Sequence, residues 1–353
     1  MPWRSSRGRV KRLLADKSFT LMLILGVETS CDDTAAAVLR DGCTILANVV
    51  SSQDQVHGPY GGVVPELASR QHIQSILPIV DNALQTAGVT LPDLDGMAVT
   101  YGPGLVGSLL VGLSMIKGIS FRWGIPYVGV NHLEAHLLAI QLEHEVSFPY
   151  IALLASGGHT LLYCVRGVGD YIHLGGTRDD AAGEAFDKVA KMMGLGFPGG
   201  RAIDNLARAG DPSAIRFPRA QLRRGSYDFS FSGIKTSVWQ YLNSQPAEQW
   251  RNRMADIAAS FQEAVVDMLI KPTVKAAGSD GVSRIVLAGG VAANSRLREK
   301  MTENANAAGL EVYFPAPKFC TDNGAMIALA GYYAIRNGRR DDFRLNADAD
   351  LTL

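Results

Sequence analysis

Two histidines four residues apart, His132 and His136 in "GVNHLEAHLLAIQ", are the residues of this chain best spaced for chemistry. The segment after them has the apolar content of an amphipathic helix, with Leu133, Leu137, Leu138 and Ile140, and residues four apart on a helix share a face. Two imidazoles on one face can chelate one transition metal. The plainer alternative is a pair at a helix start, one capping and one solvated. A third ligand candidate is Asp322, in the polar Thr-Asp-Asn-Gly turn of "FPAPKFCTDNGAMIALAGYY". Its alternative is a helix cap. Two histidines and one carboxylate would leave coordination positions open for a substrate oxygen.

Other segments suit an anion or a nucleoside. "LLASGGHTLL" places Ser156, Gly157 and Gly158 in a tight turn that can present backbone N–H groups. "RIVLAGGVAANSRLREK" reads as strand, Gly289-Gly290 turn and helix, with Asn294 near the helix start, able to hydrogen-bond a base or ribose. "LGFPGGRAID" sets Gly199 and Gly200 before a helix that carries Asp204, and Asp187 in "GEAFDKVAKMMG" is a candidate for ribose hydroxyls. "TYGPGLVGSLLVG" precedes an apolar helix whose N-terminus could receive a phosphate, or whose glycines could simply allow close packing. No GxxxxGK[ST] motif occurs, so there is no P-loop. Finally, "RFPRAQLRRGSYDFSFSGIKTS" interleaves Arg216, Arg219, Arg223, Arg224 and Lys235 with Tyr227, Phe229 and Phe231. Cations there can contact phosphates and aromatics can stack on unpaired bases. The alternative is a basic surface loop with core aromatics.

The elements that must position these groups repeat. "LMLILGVETSCDDTAAAVLRDG" and "PYIALLASGGHTLLYCVRGVG" are each an apolar strand, a small polar turn, a second apolar strand and a further turn. The strands lack strict alternation, so both faces are expected to be buried between helices. A duplicated α/β unit predicts two similar lobes around a cleft, near residues 22–148 and 149–345, with C-terminal helices able to pack back on the first lobe. Residues 346–353 read as a tail. Residues 1–21 read as a basic extension, disordered or lying upstream of a true start at Met22; a transit peptide is the alternative.

Composition bounds the function. The 353 residues are 47% hydrophobic, enough for one large domain or two ordinary ones. Lys+Arg and Asp+Glu both number 34, so nucleic acid would have to be bound by a local patch. Four scattered cysteines point to free thiols in a reducing compartment. No run is long and apolar enough for a membrane helix.

Taken together, the segments "GVETSCDDT", "GGVVPELASRQH", "GPGLVGSLLVG", "NHLEAH", "SGGHT", "DDAAGEAFDKVAKMMGL", "PGG", "DFSFSGIKT", "AGGVAANSRLR" and "CTDNGAMIA" closely resemble the tRNA N6-adenosine threonylcarbamoyltransferase family, formerly described as O-sialoglycoprotein endopeptidases, in its bacterial branch. They run in family order from about residue 22 to about 335. The resemblance implies an α/β protein of the actin-like ATPase fold, two RNase H-like lobes around a nucleotide cleft. It implies transfer of threonylcarbamoyl from threonylcarbamoyl-AMP to N6 of the adenosine just 3′ of the anticodon, in tRNAs reading codons that start with A. By motif, His132, His136 and Asp322 would hold a divalent metal ion, iron(II) first and zinc as the alternative. Leu154, Ala155, Ser156, Gly157 and Gly158 would line the adenylate site, with Asp187, Gly200, Asp204 and Asn294 contacting the nucleoside. An inactive paralogue and a small P-loop ATPase would be partner subunits, in the cytoplasm and away from any membrane. Two departures are minor: Asn131 stands where a His is common, and Ala155 where Val is frequent. The catalytic base is unassigned, with Asp32 and Asp33 as candidates.

Three rival readings follow from the same residues. A zinc peptidase predicts HExxH, but here the spacing is HxExH, and Glu134 would point away from the histidine face. A sugar-kinase-like ATPase of the same fold would not need the histidine pair. A tRNA-binding scaffold would survive loss of His132.

Overall fold

The protein is described by a computed structural model over residues 21–220, 222–223 and 225–353; the basic extension up to residue 20, Gln221 and Arg224 lie outside the described residues. The first half of the chain builds β1 (Leu23–Glu28), β2 (Asp33–Arg40), β3 (Thr44–Ser52), α1 (Pro65–Ala87), β4 (Gly96–Gly102), α2 (Val106–Trp123), β5 (Tyr127–Asn131) and α3 (His132–Leu138). The second builds β6 (Tyr150–Ala155), β7 (Thr160–Gly167), β8 (Asp170–Gly176), α4 (Ala182–Met193), α5 (Gly199–Ala207), α6 (Ser232–Asn243), α7 (Met254–Asp280), β9 (Arg284–Ala288), α8 (Ser295–Ala307), β10 (Glu311–Tyr313) and α9 (Gly324–Arg336).

The two sheets have one topology. The first runs β3-β2-β1-β4-β5 and the second, in the same sense, β8-β7-β6-β9-β10. In each, three antiparallel strands precede two parallel ones, so β1 and β6 hold equivalent central places. Both strands are almost entirely buried, as their unbroken apolar sequences require, because helices cover both faces. The largest core lies in the second half, where α7 packs beneath β6 and β9. This duplicated arrangement is the actin-like ATPase fold.

Although α9 follows the second sheet in sequence, it packs on the first, against β1, β2, β4 and β5. Close contact is the reason its glycines matter: a Cβ on Gly324 would collide with the backbone N of Ala37, and one on Gly26 with the backbone N of Ala328. The helix therefore lies flush on the sheet and sets Asp322, just before its cap, against α3. The tail follows it onto the same sheet. Asp348 N donates to Tyr101 O (2.8 Å), and Asn131 Nδ2 donates to Thr352 O (3.2 Å).

Candidate metal centre and nucleotide cleft

The chain turns directly from β5 into α3, and Asn131 makes that turn possible. Its Oδ1 accepts from the N–H groups of Leu133 (2.8 Å) and Glu134 (3.4 Å), capping α3. Neither histidine is therefore spent as a cap, and both are buried. Their rings meet edge to face with centroids 4.7 Å apart. Asp322 Oδ1 lies 3.0 Å from His136 Nε2 and 3.6 Å from His132 Nε2. One ligand atom from each of the three residues lies within 4.8 Å of the others. Asp322 does not cap α9, since Asn323 Oδ1 accepts from Met326 N (3.0 Å) and fills that role. Metal–ligand bonds of about 2.0–2.2 Å put neighbouring ligands about 3.0–3.6 Å apart, so the two contacts of Asp322 have the right span. Two neutral nitrogens and one carboxylate oxygen also form a donor set suited to iron(II) or zinc. Glu134 is turned elsewhere and accepts from Tyr171 Oη (2.8 Å), which removes it from the place a peptidase base would need.

Sequence reasoning passed over Glu28, at the end of β1. Its carboxylate is completely buried and lies 3.0 Å from His132 Nδ1, while Thr100 Oγ1 donates to it (2.7 Å), as does the Ser30 backbone N–H. A carboxylate behind a ligating imidazole fixes its tautomer and orientation. The one available signal was an acid inside an apolar strand. Burial pushes the His132 imidazole down, but the Asp322 and Glu28 carboxylates outweigh it and raise it to about 9. In return, His132 and His136 hold the Asp322 carboxyl below its ordinary range despite burial. His136 Nδ1 is buried without a hydrogen-bond partner, so Asp322 is its only polar tie among the described residues.

Asp32 lies in the turn between β1 and β2, and Asp33 is the first residue of β2. Burial raises both carboxyls, and the Asp322 and Asp32 charges add to it at Asp33, which reaches about 8. His72 on α1 holds this turn: its Nε2 lies 2.9 Å from Cys31 O and its Nδ1 2.8 Å from Thr34 Oγ1. The carbonyl can only accept, so the proton sits on Nε2 and the Thr34 hydroxyl donates to Nδ1.

The equivalent turn of the second sheet is built from backbone. Leu154 and Ala155 are buried at the end of β6. Ser156 N donates to His159 O (2.8 Å) and His159 N donates to Ser156 Oγ (3.1 Å), leaving Gly157 and Gly158 exposed. The first turn of α4 abuts it, with Gly183 N donating to Ser156 O (3.1 Å). His159, also missed from sequence, is pushed down to about 4 by burial, with the nearby His132 charge acting the same way.

A run of hydrogen bonds joins the remaining candidates. Asp187 accepts from Gly199 N (2.7 Å) at the start of α5, leaving Gly200 with open space. Asp204, on α5, accepts from Ser295 Oγ (2.7 Å) at the start of α8. Asn294 caps α8 through Leu297 N (2.9 Å) and donates to Gln262 Oε1 (2.8 Å). Its side chain is thus already engaged in holding the helix, a use that a local reading for nucleoside contact did not include.

Two sequence alternatives resolve toward packing. At the "GPG" turn, Gly104 N donates to Ala349 O (3.1 Å) and Leu105 N to Ser30 O (2.8 Å), so those donors are taken. In the basic stretch, Phe229 and Phe231 are core residues and cannot stack on bases. Arg219 pairs with Asp267 (2.9 Å) and Lys235 with Asp180, whereas Arg216 and Arg223 are exposed.

Comparison with known proteins identifies the family and the fold. The family described as tRNA N6-adenosine threonylcarbamoyltransferase matches residues 44–329. A protein of that name from Geotalea uraniireducens (strain Rf4) is 54% identical over 326 residues, 92% of this chain and 95% of its own. One from Geobacter sulfurreducens (strain ATCC 51573 / DSM 12127 / PCA) is 55% identical over 332 residues, 94% of this chain and 97% of its own. Among solved structures, the Acidaminococcus fermentans (R)-2-hydroxyglutaryl-CoA dehydratase component A superposes with TM-score 0.54 at 16% identity, covering 89% of this chain and 99% of its own. Full-length HypF superposes at 0.60 and 15% identity, over 89% of this chain, which spans about half (55%) of HypF. These two likenesses concern the fold. The chain belongs to the tRNA N6-adenosine threonylcarbamoyltransferase family and is an acyltransferase of tRNA modification.

Proposed function

We propose that threonylcarbamoyl transfer takes place where the two equivalent turns meet, with each lobe supplying a different part of the chemistry. The acceptor is N6 of the adenosine just 3′ of the anticodon, and the donor is threonylcarbamoyl-AMP. The observation that carries this placement is the convergence of His132, His136 and Asp322 beside the turn that carries Asp32 and Asp33.

The donor is a mixed anhydride and needs no strong nucleophile. The site must hold the amine against the carbamoyl carbon and accept charge as AMP leaves. His132, His136 and Asp322 would hold one divalent ion, iron(II) or zinc, which when bound would polarise donor oxygens. Glu28 keeps His132 in the ligating tautomer. The exposed amides of residues 157 and 158 face the phosphate side, while Leu154, Ala155 and Ser156 shape the floor beneath it. Asp187 orients the Gly199 and Gly200 turn, and Asp204 and Asn294 fix the start of α8 against the nucleoside. Asp33 is the better placed of the two candidate bases, because burial and neighbouring charge bring its carboxyl close to the working pH.

An exposed apolar stripe supports a protein partner of the kind the resemblance implies, an inactive paralogue, with a small P-loop ATPase as the other subunit. Ile73 and Leu77 lie one turn apart on α1, and Val106 and Leu110 one turn apart on the neighbouring α2; all four are exposed. The tRNA substrate and four free thiols support a cytoplasmic setting. No described helix is long and apolar enough to cross a membrane.

The test is reconstitution with partner subunits, synthase, ATP, threonine, bicarbonate and unmodified tRNA, followed by nucleoside mass analysis. Wild-type protein should yield threonylcarbamoyladenosine, and His132→Ala should abolish it while tRNA binding persists. Full modification by His132→Ala would overturn the proposed role of the triad.

A further inference from the structure

A basic hollow of about 330 Å³ opens on the second lobe, between α7 and the stretches 219–220, 222–223 and 225–230. Four cations line it: Arg219, Arg223, Lys271 and Lys275. Lys271 and Lys275 are one turn apart on α7, and both are exposed, as is Arg223. The Lys275 ammonium lies 5.1 Å from the centre of the Tyr227 ring, which steadies it.

Two acids also line the hollow, and both are occupied. Asp228 holds Arg178 (2.6 Å) and the Ser226 hydroxyl (2.8 Å). Asp267 holds Arg219 and Lys300. Arg223, Lys271 and Lys275 form no ion pair among the described residues. The hollow therefore presents uncompensated positive charge on a chain whose net charge is zero. Phe229 and Phe231, two of the three aromatics expected to stack on bases, lie in the core, and the half-buried Tyr227 carries the Lys275 ammonium on its ring, so what this surface presents is chiefly charge. That combination suits phosphodiester oxygens and carries no sequence information.

The hollow is also tied to the cleft. Its wall residue Asp228 accepts from Gly176 N (3.2 Å), and Ser230 Oγ donates to Asp179 (2.5 Å), which also accepts from Phe231 N (2.7 Å). The segment then enters α4, where Ala182 N donates to Thr160 Oγ1 (2.8 Å) and Gly183 N to Ser156 O. From residue 176 to 183 even a fully extended chain reaches about 25 Å.

We infer that this hollow is a phosphate-binding pocket for the backbone of the substrate tRNA, gripping the anticodon arm while its adenosine enters the cleft. The inference rests on the tRNA-modification reading and adds where the RNA is held. Arg223 supplies a planar fork for a phosphate, and the two lysines supply point charges beside it.

The experiment measures tRNA binding by full-length protein across a salt series, for wild type and for Arg223→Ala/Lys271→Ala/Lys275→Ala. Loss of three phosphate contacts should make the slope of log affinity against log salt shallower by about 2, at about 0.7 per contact. The donor KM and the melting temperature should not move. Lys271→Arg/Lys275→Arg should keep the wild-type slope, as should Arg122→Ala/Arg336→Ala on the first lobe. An unchanged slope in the triple variant overturns the pocket, as does an equal loss in the Lys→Arg variant. Loss of a partner subunit with unchanged tRNA affinity also overturns it and assigns the hollow to a protein. Wild-type protein that binds tRNA with the steep slope yet never modifies it would sink the transfer reading and leave the pocket standing.

Discussion

The turn between β1 and β2 and the turn between β6 and β7 occupy the same place in two copies of one sheet, yet they have diverged completely in chemistry. The first is carboxylate-rich: Glu28 lies just before it, Asp32 within it and Asp33 just after it. The second, residues 156–159, contains no acid and exposes two glycines. The first lies next to the candidate metal ligands, where burial and neighbouring charge push the Asp32 and Asp33 carboxyls up while His132 holds Glu28 down. The second keeps its shape through backbone bonds and one serine hydroxyl. A duplicated frame thus gives the cleft one wall of clustered carboxyl groups and one wall with two exposed glycines. On the proposed reading, a metal and a proton acceptor belong on the first wall, and a phosphate on the second.

The largest effect should come from breaking the charged side. Asp322→Asn keeps a hydrogen-bonding group near His136 but removes the anionic ligand. Bound metal should be lost and threonylcarbamoyl transfer should fall by more than about 100-fold, beyond the range typical of outer-shell changes. Elemental analysis and nucleoside yield measure the two together. A variant that keeps both metal and activity would remove Asp322 from the site.

Glu28→Gln should have a smaller effect on the same wall. The Thr100 hydroxyl keeps an acceptor, but His132 loses its anionic partner. Metal affinity should weaken by about 10–100-fold, with the fold retained. Competition with a chelator reads the change. Wild-type affinity in this variant would mean that Glu28 serves only the packing of β1, and the contrast between the two turns would shrink to Asp32 and Asp33.

Much of this contrast was legible in the sequence because it depends on local spacing. The i, i+4 histidines, the Thr-Asp-Asn-Gly turn and the repeated hairpins each announce themselves within a short window. What stayed hidden depends on tertiary contact. Glu28 looks like the last residue of a strand until β4 brings Thr100, and α3 brings His132, against it. Asn294 looks free until its amide is found capping α8. Phe229 and Phe231 look like stacking groups until the second lobe closes over them. The return of α9 to the first sheet was allowed for by the duplicated frame but required by no local pattern, although Gly26 and Gly324, which permit it, are visible as single letters.

The smallest effect, and the sharpest test of the division of labour, is on the amide wall. Ser156→Ala removes the acceptor for His159 N while the backbone bond from Ser156 N to His159 O remains. One neutral hydrogen bond contributes about 0.5–1.5 kcal/mol, so the turn should loosen without unfolding. Looser amides should hold the donor phosphate less well, raising the donor KM by about 2–10-fold, the factor that this energy converts to. Metal content should stay at the wild-type level, because no ligand and no partner of a ligand is touched. His159 offers the route by which this could fail, since it belongs to the same turn and feels the charges of the triad. If Ser156→Ala loses metal, the two walls are one electrostatic unit joined through His159, and the separation of roles argued from the two turns does not hold.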